Sequence, residues 1–335
     1  MNTPEDRGAG VTASAGLGPL DLVLSGGGVL GIAHVGAVSV LEERGAKFKR
    51  IAGTSAGSIV ASLLAAGAST DYLHQLLLGL QYRRFIDKDA LDRVPLVGPA
   101  LSLVLENGYA EGTYLHDLLE TELARFGVTT FADLRISDDN DADLRPSHRW
   151  RLTVMAADVT RGQLLRLPED YQRYDLAPDQ QRVADAVRAS TAVPYLYEPY
   201  KLRYPGGESL LVDGGLITNY PVDIFDRSDG RSGRWRTIGV TLIPTLPAGD
   251  TRLVPALSLL RGFPGFRFLE SLVVTAIVGR DQGYLAQPWV QSRSIEVDGL
   301  GVSPFDFTID AQTAGRLYES GRRAATEFLA QRGSG

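Results

Sequence analysis

Ile51-Ala52-Gly53-Thr54-Ser55-Ala56-Gly57-Ser58-Ile59-Val60 is the stretch that decides the fold. The stretch 48–52, with Phe48, Ile51 and Ala52 apolar, reads as the end of a buried strand. Gly53-Thr54-Ser55-Ala56-Gly57 is a Gly-x-Ser-x-Gly, and residues 58–66 continue as an apolar helix stopped by Gly67. In a chain with 37 glycines the bare pattern arises easily by chance. Strand, sharp turn and helix supply the setting in which it exposes a serine hydroxyl. A serine at such an apex is strained, and a Cβ on either flanking position would collide with the neighbouring strand or helix. The hydroxyl then sits at a helix N-terminus, where backbone N–H groups favour developing negative charge.

Upstream, residues 20–24 form a strand that runs into Ser25-Gly26-Gly27-Gly28-Val29-Leu30-Gly31 and a helix over 32–44. This β-α-β-α opening predicts an α/β fold with a largely parallel sheet covered by helices on both faces. Downstream, the spacing predicts an amphipathic helix over 113–126, with Leu115, Leu118, Leu119, Leu123 and Phe126 on one face. It predicts a strand over 150–158 with a turn at 160–162, and a helix over 181–189. A short strand over 209–212 ends in Asp213-Gly214-Gly215. Strands over 237–243 and 294–297 and a helix over 311–329 follow. Residues 253–285 read as apolar and mostly helical, and 137–147 as an exposed loop. The expected organisation is a flexible tail over 1–19 and a single domain over 20–330. Within that domain, 81–112 is a cap-like apolar segment and 236–330 a C-terminal extension.

The chain has 335 residues, 44% hydrophobic and 22% charged, as in a soluble globular protein. A net charge of −6 gives no electrostatic footprint for nucleic acid. The absence of cysteine excludes disulfides, thiolate zinc sites and cysteine nucleophiles. The N-terminus lacks a basic region followed by an unbroken apolar one, so no signal peptide is read, and no run spans a membrane. The expected location is cytoplasmic or peripheral at a membrane. Residues 91–105 and 253–285 are the candidates for transient contact with its surface.

A serine hydroxyl needs a base. The four histidines, His34, His74, His116 and His148, all precede the last half of the chain. The order Ser, acid, His of the α/β-hydrolases therefore fails. A carboxylate must act directly, and Asp213, ending a buried strand before two glycines, is the first candidate. Asp158 is the second. Gly26-Gly27-Gly28 can present N–H groups to an oxyanion. The same loop fits Gly-x-Gly-x-x-Gly as Gly26, Gly28 and Gly31, a dinucleotide fingerprint. That rival wants an acid at the end of the second strand, where this chain has Ala52-Gly53-Thr54-Ser55.

Gly26-Gly27-Gly28-Val29-Leu30-Gly31, Gly53-Thr54-Ser55-Ala56-Gly57 and Asp213-Gly214-Gly215 together resemble the signatures of the patatin-like phospholipases. The resemblance extends to 131–134, 189–194 and 219–222. It implies a three-layer α/β/α sandwich and lipid acyl hydrolysis by a Ser55–Asp213 dyad. It also implies an oxyanion hole at Gly26, Gly27 and Gly28, and no cofactor or metal. Gly31, Gly53, Gly57, Gly214 and Gly215 are the motif glycines. The implied partner is a lipid or ester substrate. One position departs from the family pattern: Leu30 stands where an Arg or Lys is usual. That departure motivates a further reading, a catalytically weak relative that binds lipid.

Overall fold

Strand β1 (Gly18–Leu24) ends in the glycine loop, and helix α1 (Gly31–Glu43) follows it. Strand β2 (Ala46–Thr54) delivers Ser55 to helix α2 (Ala56–Ala66). These elements belong to a computed structural model that describes residues 16–85, 110–136, 149–243 apart from 195, 228, 230 and 232, and 280–333. Helix α3 (Thr70–Gly79) is capped by Ser69, whose Oγ accepts the Tyr72 N–H at 3.1 Å. Helix α4 (Thr113–Arg125), strand β3 (Leu152–Asp158), strand β4 (Gln163–Leu167) and helix α5 (Val183–Ser190) come next. Then come β5 (Tyr200–Tyr204), β6 (Gly207–Asp213) and β7 (Arg236–Ile243). The described chain closes with α6 (Arg280–Leu285), α7 (Pro288–Gln291), β8 (Ser294–Asp298) and α8 (Ala311–Gly333).

One sheet runs in the order β5-β6-β3-β2-β1-β7-β8, with β4 paired to β3. Pairing is parallel from β3 through β2, β1 and β7 to β8. It is antiparallel where β4 and β6 meet β3 and where β5 meets β6. The expected α/β sheet, mostly parallel, is therefore present, with an antiparallel margin that the sequence reading did not foresee. Strand β5 was missed because Tyr200–Tyr204 alternates half-buried and exposed residues and carries Lys201 and Arg203. Strand β4 lies just past the expected turn and reads locally as part of it.

Period-two alternation assigns the two faces. Leu22, Leu24 and Ile51 join the main core, whereas Val23 and Ala52 join a smaller one with Tyr220, Val222, Phe225 and Val290. The first face carries α1, α2 and α8. The second is covered, among the described residues, by 220–225 and the short α6 and α7. Asp21 and Arg50 lie on this second face as a buried ion pair, with the guanidinium 4.5 Å from the Phe225 ring. Helix α1 is buried along Gly31–Leu41, as a helix with apolar residues on every side must be. It is sandwiched between the sheet and α8. A Cβ on Gly36 would strike the Tyr318 carbonyl, and one on Gly321 would strike that of Ala33, so the two backbones touch at their crossing.

The sheet begins earlier than the expected tail boundary at residue 19. Gly18 and Pro19 pair with Ala46 and Lys47, and Leu17 donates its N–H to the Arg44 carbonyl at 2.8 Å. Ladder pairing recruits backbone whatever the side chains, so a Gly-Pro start gave no strand signal. The segments 91–105 and 137–147, and 253–285 up to Arg280, lie outside the described residues. Among the described residues no helix is long and apolar enough to cross a membrane.

Candidate active site

Ser55 is the residue between β2 and α2, with φ 51° and ψ −126°. A non-glycine residue held there costs about 1–3 kcal/mol, which the surroundings must over-determine. They do so from three sides. The Ser55 N–H donates to Ser190 Oγ at 2.9 Å. Its carbonyl accepts the Ser58 N–H at 2.8 Å and the Ser58 hydroxyl at 2.6 Å. A Cβ on Gly53 would strike the Gly57 carbonyl, and one on Gly57 would strike the carbonyls of Leu24 and Ser25. The turn can close only because both flanks are glycine.

Register brings Asp213 to the same place. Thr54 pairs with Met155 on one side of β3, and Asp213 pairs with Ala156 on the other. The serine and the aspartate therefore flank β3 at adjacent rungs. Asp213 arrives on a strand antiparallel to β3. Ser55 and Asp213 line one cleft, and Ser55 acts on the carboxyl to favour its anion. Asp213 Oδ1 also accepts the Gly215 N–H at 2.7 Å, and its own N–H donates to the Ala192 carbonyl at 2.9 Å. A Cβ on Gly214 would strike Met155, so that glycine lets β6 run against β3. Asp213 is 2% exposed, and burial pushes its pKa up to about 6 against Ser55 and the Gly215 N–H, which favour the anion.

The glycine loop stands opposite. Gly26 is packed against Asn219 and Ser55, and its N–H is already given to the Asn219 carbonyl at 3.2 Å. Gly28, with φ +55°, turns the chain into α1, and Val29 N–H holds the Pro304 carbonyl at 2.9 Å. Among the described residues no backbone partner is found for the amides of Gly27 and Gly28. Gly26, as the third expected oxyanion donor, is thus corrected: its hydrogen is spent on holding the loop. Gly31 opens α1 at van der Waals contact with Ala56. Leu30 is buried and lines the cleft beside the loop.

His34 underlies the loop. Its Nε2 bonds the Ser25 carbonyl at 2.8 Å, its Nδ1 has no partner, and burial holds its pKa down at about 4, so it is neutral. His74 stacks on Tyr318 at 3.8 Å, and His116 bonds Asp185 at 2.8 Å. Neither lines the clefts at Ser55, and His148 lies outside the described residues. Asp158, the second candidate base, is committed elsewhere. Its carboxylate accepts the N–H groups of Thr160 and Arg161 and the Tyr174 hydroxyl, fixing the β3–β4 turn. Ser190 and Asn219 were legible only through the stretches that resemble the family. No group of three or more potential ligands is placed to hold a metal ion among the described residues.

Two clefts meet at Ser55. One contains Gly26, Gly27, Gly28, Asp213 and Asn219. The other encloses about 850 Å³ including its mouth, and runs between α2, α3 and α4. Its walls are almost wholly apolar, including Ile59, Leu63, Leu77, Leu115 and Leu119.

A strained serine on a strand–helix elbow thus stands beside a buried aspartate across one strand and a facing glycine loop. A match to the patatin-like phospholipase family spans residues 22–226, and the chain belongs to that family. The uncharacterized protein YqhO of Bacillus subtilis is 33% identical over 317 residues, covering 93% of this chain and 98% of that one. A probable lipid hydrolase, 463L of Invertebrate iridescent virus 6, is 24% identical over 225 residues, covering 67% of this chain and 69% of that one. Among solved structures, VipD from Legionella pneumophila superposes with a TM-score of 0.51 at 19% identity, covering 95% of this chain and 67% of that chain, and shares the fold.

Proposed function

We propose that this protein hydrolyses carboxylic ester bonds of lipids, with Ser55 as nucleophile and Asp213 as general base. The observation that carries the reading is the placement of the strained Ser55 and the buried Asp213 at adjacent rungs on either side of β3, lining one cleft. In the acylation step the Asp213 carboxylate takes the Ser55 proton as Oγ bonds the carbonyl carbon. The resulting oxyanion lies at the free N–H groups of Gly27 and Gly28 and the first amide of α2, on Ala56. Collapse breaks the carbon–oxygen ester bond, and the departing alkoxide takes the proton from Asp213. Water then attacks the acyl-enzyme, giving its proton to Asp213; collapse breaks the bond to Ser55 Oγ, which takes that proton back as the acid is released. The apolar cleft receives the acyl chain, and this supports a lipid substrate over a small polar ester.

Burial raises the basicity that an ordinary carboxylate lacks, which suits Asp213 to this work near neutral pH. Nucleotide binding by the glycine loop finds no support, since the loop faces Ser55 and β2 ends without an acidic residue. The test is hydrolysis of p-nitrophenyl butyrate without metal or cofactor. Ser55→Ala is expected to reduce kcat by about 10³-fold or more, and activity that survives it would overturn the reading.

A further inference from the structure

The acyl cleft has a polar end. Ser55 stands at the N-terminus of α2, and the cleft follows that helix past Ile59 and Val60 to Leu63. Beyond α2 the chain turns at Gly67 into α3, so Tyr72 lies at the end away from the serine. On α4 the wall continues through Leu115, Leu118 and Leu119 and reaches Glu122, on the same stripe at helical spacing. Glu122 is 5% exposed and lines the cleft. Its Oε2 accepts the Tyr72 hydroxyl, while Oε1 has Arg125 Nε only at 3.7 Å, beyond hydrogen-bond reach. A carboxylate therefore stands in the wall of a cleft that is otherwise mostly apolar.

Resting on the reading of Ser55 as nucleophile, we infer that Glu122 sets the acyl chain length and that the preferred substrate is a medium-chain ester. The physics is a competition. Each methylene buried along the apolar wall improves transition-state binding by up to about fourfold. A methyl terminus pressed on Glu122 instead strips water from a charged oxygen and returns no hydrogen bond. From Ser55 to Leu63 the axis of α2 advances about 12 Å. An extended chain covers roughly 1.2 Å per bond, so about eight to ten carbons fit before the carboxylate is reached.

The test is kcat/KM on p-nitrophenyl esters from four to sixteen carbons, for the unaltered protein, Glu122→Gln and Glu122→Leu. The unaltered protein is expected to peak at about eight to ten carbons, and Glu122→Leu to move the peak to twelve or longer. Coincident profiles for all three proteins overturn the inference. Should Glu122→Leu fail to fold, the unaltered protein decides with an ω-hydroxy ester. A 12-hydroxydodecanoyl ester, able to donate to Glu122, is expected to exceed the dodecanoyl ester by about tenfold, and equal rates overturn the inference. A separate arm uses Ser55→Ala and displacement of a fluorescent fatty acid by carboxylic acids of the same lengths. Affinity that peaks near ten carbons supports the role of Glu122 even where no Ser55-dependent hydrolysis is found. Affinity that keeps rising to sixteen carbons counts against it.

Discussion

Asp213 and His34 sit on either side of the glycine loop and titrate in opposite senses. Burial raises the Asp213 pKa from 3.8 to about 6. Between about pH 4 and pH 6 the unfolded chain loses this proton while the folded one keeps it, so stability falls as pH rises through that window, by about 3 kcal/mol in all. His34 is lowered from 6.5 to about 4. Below about pH 6.5 the unfolded chain takes up a proton that the folded one refuses, so stability falls as pH drops. The two slopes largely offset each other. Asp213→Asn removes only the first. Its stability relative to the unaltered protein, read by urea denaturation, is expected to grow by about 3 kcal/mol from pH 4 to pH 7. A difference that stays flat with pH would show that Asp213 is not held protonated by burial. Activity of the unaltered protein is expected to rise with pH through about 6, as Asp213 ionises. At this scale Ser55 and Asp213 were legible, because their glycine neighbours mark where backbone must approach closely. His34 and Glu122 were not, since each looks like an unremarkable polar residue on a helix until its burial is seen.

Between elements, the firmest contact is the crossing of α1 and α8. Gly36 faces the Tyr318 carbonyl and Gly321 the Ala33 carbonyl, with no room for a methyl group. Helix α1 carries the glycine loop at its N-terminus, so displacement there propagates to the site. Gly321→Ala is expected to lower stability by about 1–3 kcal/mol and to lower kcat more than KM, as thermal denaturation and esterase kinetics would show. An unchanged melting temperature would mean that the crossing is slack. The helices α1, α2 and α4 and strands β1, β2, β3, β6, β7 and β8 could be read from apolar period within a few residues of their ends. The antiparallel arrival of β6 could not. Direction in a sheet is set by pairing partners far along the chain, and Asp213 pairs with Ala156, not with a local neighbour.

For the whole molecule, the family match ends at residue 226, yet the sheet does not. Strand β1 lies between β2 and β7, and β7 is paired in turn with β8. Leu242 fills the space beside Gly27, and the Pro304 carbonyl holds Val29. A fragment of residues 16–226 would bare one edge of β1 and the outer side of α1, an exposed apolar surface that favours aggregation. It is expected to be insoluble or inactive, and a soluble fragment with full esterase activity would refute this. The portion by which the lineage is recognised is thus not a detachable module. Anyone shortening or fusing this enzyme has to treat its final hundred residues as scaffolding for the chemistry, and a graft onto that end is a graft onto the reaction centre's outer wall.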